Sequence, residues 1–304
     1  MSFTAKDVPS QTGKCFVVTG ANTGLGYEAT KVLASRGARV LLACRSEDKA
    51  RKAMERIRME VPGANLAFVS LDQADLGSVH AAALEIAREP RLDTLVNNAG
   101  VMVPPLERTA QGHELQFGVN HLGTFALTGL LLPQLAETPG SRIVITASIA
   151  HRSGKISWDD LDAHRSYSRG QRYSDSKLMN LLHLFELDRR LRAAGSPVMA
   201  VGCHPGVAST DLARHLPAIG RLAWPVIGKV LNDAAAGAWP TLQAAAAPDA
   251  IAGEYYGPLG FRNARGQSGL NPRSEAARDP VAARRLWDVS TQMTGVDYRL
   301  PPVD

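Results

Sequence analysis

The sequence predicts an α/β fold, a doubly wound parallel sheet of about seven strands with helices on both faces. Three observations carry this. Short apolar runs (Cys15 to Val18, Ala38 to Cys44, Asn65 to Ser70, Leu92 to Asn97, Arg142 to Thr146) alternate with stretches of helical spacing. Most of these runs end in a polar or glycine-rich cluster. The 304 residues, 45% hydrophobic and 21% charged, suffice for one large core, and no linker interrupts them. One domain, 1–304, is the expectation.

The first run leads into Thr19-Gly20-Ala21-Asn22-Thr23-Gly24-Leu25-Gly26, which opens a helix from Tyr27 to Arg36. Glycines at 20, 24 and 26 remove the Cβ atoms that would keep a backbone from turning tightly beside a pyrophosphate, and the helix offers its free N–H groups to the anion. The bland alternative is a simple tight turn. The second run ends at Cys44-Arg45-Ser46, where dinucleotide folds commonly place an acidic residue against the adenosine ribose. Arg45 suits a 2′-phosphate instead, so NADP(H) is preferred over NAD(H); a surface arginine entering the helix Glu47 to Met59 is the competing reading. The third run meets Asp72 and Gln73. Asp72 either accepts from an adenine amine or caps the next helix, and residue type alone favours the cap. That helix runs to about Arg88. The fourth run ends in Asn97-Asn98-Ala99-Gly100, whose adjacent amides need partners and would tie strands together beside the groove. Glu114 to Gly123 begins a long apolar helix toward Leu132, with Asn120 inside it, and the fifth run ends at Ala147-Ser148. All these clusters fall at the carboxyl edge of the sheet, where such folds bind ligands.

Beyond an irregular polar loop from about His151 to Gly170 lies Tyr173-Ser174-Asp175-Ser176-Lys177. Tyr173 and Lys177, four apart, share a helix face. A tyrosine titrating near 10 gains acid/base competence at neutral pH from a neighbouring ammonium. Tyr167 has Gln171 in the lysine's place, Ser153 is farther from the strand end than Ser148, and His151 reads as a loop residue. Cys203-His204 has no clustered partners, so a strand-end histidine is favoured over a metal ligand or nucleophile, and no metal is expected.

These motifs, with His204-Pro205-Gly206, resemble the short-chain dehydrogenase/reductase family over nearly the whole chain, and Ala43-Cys44-Arg45, the insert before Tyr173 and the tail Arg285-Leu286-Trp287-Asp288 resemble its retinol dehydrogenase and protochlorophyllide reductase-like branch. The resemblance implies a Rossmann-type sheet and an oxidoreductase interconverting a carbonyl and an alcohol. It implies Tyr173 as acid/base, Ser148 holding the substrate oxygen, Lys177 on the nicotinamide ribose, and Asn120 supporting a water beside Lys177. Asp72 and Gln73 would face the adenine, Asn98, Ala99 and Gly100 the ribose, and Pro205, Gly206, Ala208 and Thr210 the nicotinamide. A lid would span about 206–240, its apolar residues suiting a lipophilic substrate or merely packing on the core. A homodimer or homotetramer through the helices of Asn120 and Tyr173 is the family's pattern, which the inserts and tail could alter. A non-catalytic NADP(H)-binding sensor or scaffold is the alternative, and reduction of a carbon–carbon double bond a lesser one.

The net charge of +5 comes from Lys and Arg interspersed with Asp and Glu, which gives no basic face for nucleic acid. Three cysteines in apolar runs read as buried thiols of a reducing compartment. The first residues carry no apolar leader and no unbroken run of about 18 apolar residues occurs, so a cytoplasmic protein without a membrane anchor is expected and a retinoid substrate is not indicated. An alanine-rich helix from about Asn232 to Ala246, an edge strand at 253–257, a long loop at 258–278 and a last helix from Pro280 to Met293 complete the prediction, the extension beginning at about 258.

Overall fold

A computed structural model describes residues 2–207 and 233–303. Its elements are β1 (Cys15–Thr19), α1 (Gly24–Ser35), β2 (Arg39–Cys44), α2 (Glu47–Glu60), β3 (Asn65–Ser70), α3 (Leu76–Ile86) and β4 (Thr94–Asn97). Then come α4 (Leu115–Ala136), β5 (Arg142–Thr146), α5 (Arg169–Ala193), β6 (Met199–Cys203), α6 (Trp239–Ala246), β7 (Tyr255–Gly260), β8 (Arg265–Leu270) and α7 (Pro280–Thr294). The sheet order is β3-β2-β1-β4-β5-β6-β7-β8, parallel from β1 to β7. Continuous apolar strands such as Cys15–Thr19 are buried along their whole length because helices cover both faces. The chain reverses its winding between β1 and β4, which opens a crevice at their carboxyl ends.

The sheet has eight strands where about seven were expected, and three expectations need correction. Residues 258–278 are not one long loop: β8 pairs antiparallel with β7, which is therefore not the edge. Arg262 and Asn263, both in the left-handed region, turn the hairpin. Its glycine and proline content disguised it, although Gly257 is required by packing, since a Cβ there would lie 2.0 Å from the His204 ring. The alanine-rich helix is split at Ala238, with Pro240 opening α6.

The two faces bury separate cores. On one, α4 and α5 pack with α7, and Phe125, Trp287 and Tyr298 form an aromatic cluster with ring centroids 4.6–5.2 Å apart. Tyr298 lies on α4 at Gly129, where a Cβ would meet its ring at 2.5 Å. Thus α7 covers, within one chain, the helices of Asn120 and Tyr173. Of the described helices, α4 is apolar and long enough to cross a membrane, with Gly, Thr, Asn and His among its residues, but 89% of that window is buried in the fold. Cys15, Cys44 and Cys203 are buried free thiols; burial pushes Cys15 up to about 12 and Cys44 to about 11.

Candidate active site

The glycine loop is built as its residues predict. Gly20 has φ +67°, and Gly26 packs so tightly that a Cβ would lie 2.6 Å from both the Gly20 carbonyl and the Asn98 amide. Thr23 stands at the N-cap of α1 without a side-chain cap bond, which leaves the first amides of the helix for a ligand. Thr19 joins this loop to the next strand end: its hydroxyl accepts the N–H groups of Asn98 and Ala99, and its carbonyl accepts the Asn98 amide at 2.8 Å. Asn97 instead donates to Thr128 on α4. The paired amides therefore do tie strand and helix, and Asn98 lines the groove.

The groove has two ends that share Gly100 and Val101. One end is walled by Gly20, Asn22, Cys44, Arg45, Ser46, Lys49, Asp72, Gln73 and Ala99. Arg45 is 78% exposed and stands 3.9 Å from Asp72, a loose surface pair. Asp72 does not cap α3. It accepts the Ala74 N–H, and Asp75 is the cap. Gln73 lines the same end while its amide nitrogen donates to the Val119 carbonyl and the Thr124 hydroxyl of α4. Ser46 and Lys49 were not singled out from the sequence; Lys49, one turn beyond Arg45, was the available signal.

The other end is walled by Leu25, Asn98, Met102, Pro104, Pro105, Thr146, Ala147, Tyr173, Lys177 and Pro205. The Lys177 Nζ stands 5.7 Å from the Tyr173 ring centroid and donates to the Thr146 carbonyl at 3.4 Å. Helix α5 begins a turn before Tyr173, which fixes the pair on one rigid face. Residues 118–122 of α4 form a π-helical turn around Asn120. That turn aims Asn120 at the β4 loop, where its amide accepts from the Val101 N–H at 2.7 Å and donates to the Val101 carbonyl and the Ser176 hydroxyl. A Cβ on Gly100 would lie 3.0 Å from Asn120 and 3.4 Å from Lys177. The loop continues into Val103, held at φ +48° with its N–H on Gln116, a costly conformation for a β-branched residue. The apolar wall 101–105 escaped sequence reasoning because it has no motif of its own.

Ser148 caps the short helix Ile149–Ser153, its hydroxyl accepting from the Ala150 N–H and donating to none of the described residues. His151 is more than a loop residue. It is buried, its Nδ1 donates to the Ser148 carbonyl at 2.6 Å, and its Nε2 accepts from the Ser274 N–H. Burial lowers its pKa, and with both nitrogens engaged it braces Ser148 and is no base. Ser153 donates to the Ala150 carbonyl and Tyr167 to that of Pro104, so neither competes for catalysis. His204 is structural: Nε2 donates to Asn271, Nδ1 accepts from the Gly206 N–H, and burial lowers its pKa to about 4. Among the described residues no group of three or more His, Cys, Asp or Glu could hold a metal. Ala208, Thr210 and most of the expected lid lie outside the described residues.

Residues 14–218 match the family model described as short chain dehydrogenase. Retinol dehydrogenase 12 of Homo sapiens is 40% identical over 289 residues, covering 94% of this chain and 88% of that protein. Retinol dehydrogenase 11 of Mus musculus is 40% identical over 296 residues, covering 96% and 88%. Among solved structures, an uncharacterised protein from Mycobacterium paratuberculosis superposes with a TM-score of 0.82 at 37% identity, over 99% of this chain and all of that one. A short chain dehydrogenase of Escherichia coli CFT073 complexed with NADPH gives 0.56 at 27% identity, over 70% and 84%.

Proposed function

We propose that this chain, which belongs to the retinol dehydrogenase-like branch of the short-chain dehydrogenase family, interconverts an apolar aldehyde or ketone and its alcohol with NADP(H). That it is an oxidoreductase of CH–OH groups follows from the family. One observation carries the finer reading: Tyr173 and Lys177 meet at a groove end whose other wall is Leu25, Met102, Pro104 and Pro105. An acid/base pair beside apolar surface suits a lipophilic carbonyl.

The groove fits a dinucleotide by its own shape. Side chains at Gly26 or Gly100 would collide with their surroundings, and the amides of α1 are uncapped. Gly20, Asn22, Thr23, Gly24 and Leu25 would hold the pyrophosphate, Asp72 the adenine edge, and Asn98 to Gly100 the ribose. Arg45 with Ser46 and Lys49 would hold a 2′-phosphate, which is the support for NADP(H) over NAD(H). Lys177 and Pro205, which line the other end of the groove, would meet the nicotinamide. When bound, the nicotinamide gives or takes the hydride.

The chain's own residues handle the proton. Tyr173 gives its phenolic proton to the carbonyl oxygen during reduction and takes it back during oxidation, the Lys177 ammonium favouring the phenolate. The Ser148 O–H donates to the same oxygen and fixes its place relative to Tyr173. Asn120 keeps the Gly100–Val101 wall in register with Lys177.

NADPH oxidation followed with all-trans-retinal and nonanal, wild type beside Tyr173→Phe, tests this. Wild-type turnover is expected with at least one, and Tyr173→Phe is expected to lose a factor of about 10² to 10⁴ in kcat. Turnover surviving in Tyr173→Phe would overturn the assignment.

A further inference from the structure

The apolar wall of the substrate end cannot hold itself in place. Between Val103 and Pro105 only Val103 has an N–H, since two prolines follow it. Val103 is β-branched and precedes a proline, yet it has φ +48°, a conformation that persists only where the surroundings enforce it. The enforcing group is Gln116, fully buried in the first turn of α4. Its Oε1 accepts the Val103 N–H at 2.9 Å, and its Nε2 donates at 3.1 Å to the carbonyl of Arg169, the first residue of α5. One partner is a main-chain donor and the other a main-chain acceptor, so only this orientation of the amide satisfies both. The Glu114 carboxylate accepts the N–H groups of Gln116 and Phe117 and fixes the turn from which the side chain departs. Tyr167 adds a second tie. Its O–H donates to the Pro104 carbonyl at 2.8 Å, while its oxygen accepts from Gln116 Nε2 at 3.4 Å. Burial pushes its titration up, so the O–H stays a donor.

We infer that Gln116 is a positioning residue for the substrate: its one amide spans the backbone of the wall and the start of the helix that carries Tyr173, and so sets the width of the slot between them, with Tyr167 sharing the load at Pro104. This deepens the lipophilic-carbonyl reading and rests on it. Tyr173 lies one turn beyond Arg169, so the rigid helix passes the position of Arg169 on to the phenol. The insert before Tyr173 is bolted to the same segment at its far side. Arg108 donates to the carbonyls of Asp162 and Ala163, and the Asp162 carboxylate accepts the Glu114 N–H at 3.1 Å. Arg172, beside Tyr173, closes the insert onto α5 through Asp160 at 3.2 Å. Wall, insert and catalytic helix thus meet at Gln116.

Hydrogen exchange reads the tie without substrate. Relative to the Leu95 and Val96 amides of β4, the Val103 amide is expected to exchange about tenfold faster in Gln116→Leu and about threefold faster in Tyr167→Phe. Steady-state kinetics reads its purpose. With whichever of the two aldehydes wild type turns over, KM is expected to rise about tenfold in Gln116→Leu and about threefold in Tyr167→Phe, with kcat and NADPH affinity within about twofold of wild type. A merely structural role would lower the melting temperature and the active fraction, hence kcat, and leave KM in place. Unchanged Val103 exchange in both variants overturns the inference; faster exchange with KM unmoved overturns the part given to substrate. If Gln116→Leu does not fold, Tyr167→Phe decides alone. If wild type turns over neither aldehyde, the lipophilic-carbonyl reading fails instead, and the exchange rates still decide whether Gln116 holds the wall.

Discussion

The two halves of the sheet edge make their sites by different means. From β1 to β4 the groove is mostly backbone and small side chains: Gly20, Gly26, Ala99 and Gly100 let main chains approach, and Thr19 and Asn98 bond strand ends across one layer. From β5 onward the site is made of long side chains whose supports come from far along the chain. Lys177 leans on Thr146, His151 reaches Ser274, His204 reaches Asn271, and Tyr298 reaches Phe125. The first half needs closeness and the second needs bracing. Substitutions should therefore act in opposite ways, adding atoms being harmful in one half and removing them in the other.

Trp287→Ala has the largest expected effect. It removes a buried ring packed on Phe125 and Tyr298 and is expected to lower unfolding stability by about 3 to 5 kcal/mol in a denaturant titration. In enzyme that remains folded, kcat is expected to fall more than NADPH affinity. An affinity loss larger than the kcat loss would erase the contrast between the halves.

Acidification comes next, because the second half and α4 hold the buried histidines. Burial lowers His121 to about 3, His204 to about 4 and His183 well below its ordinary value of 6.5. The unfolded chain takes up protons that the folded chain refuses, so their contribution is complete above about pH 6.5 and is lost as pH falls toward 4, by up to about 1.4 kcal/mol per unit for each. Urea midpoints measured from pH 7.5 to 5 are expected to fall, and His183→Phe to flatten the slope. Equal midpoints at both ends would contradict buried neutral imidazoles.

In the first half, Gly26→Ala is expected to weaken NADPH binding about 100-fold, roughly 2.7 kcal/mol, since the added methyl meets the Gly20 carbonyl. Isothermal titration measures it, and unchanged affinity would mean that the loop relaxes freely. The smallest effect is that of Arg45→Asp, expected to move the NADPH to NADH preference about tenfold toward NADH, roughly 1.4 kcal/mol, in the ratio of kcat/KM values.

The same contrast explains what the sequence could reveal. The glycine loop, Asn98, Arg45 and the Tyr173/Lys177 spacing are short-range patterns, and the structure brings them to one edge. The capping role of Asp72 was misplaced by three residues because Asp75 offers the same chemistry nearer the helix. The Gln73 amide donates to Thr124 and Val119 because they lie across from it, a neighbour relation invisible along the chain. The β7–β8 hairpin looked like loop because its glycines serve packing, not flexibility. His151 owes its role to a partner 123 positions away.

One feature of the C-terminal segment bears on how the molecule is born. The Tyr298 hydroxyl closes on the Phe125 carbonyl 173 residues upstream, over the notch left by Gly129. Strands β1 to β5 and their helices leave the ribosome long before that contact can exist. During synthesis the apolar outer face of α4 and α5 stays uncovered until α7 and Tyr298 have been made, a period in which exposed apolar surface favours aggregation. A chain stopped short of Trp287 would leave α5 packed on the sheet through β5 and β6 while its outer face, with that of α4, lost the cover of α7 and Tyr298.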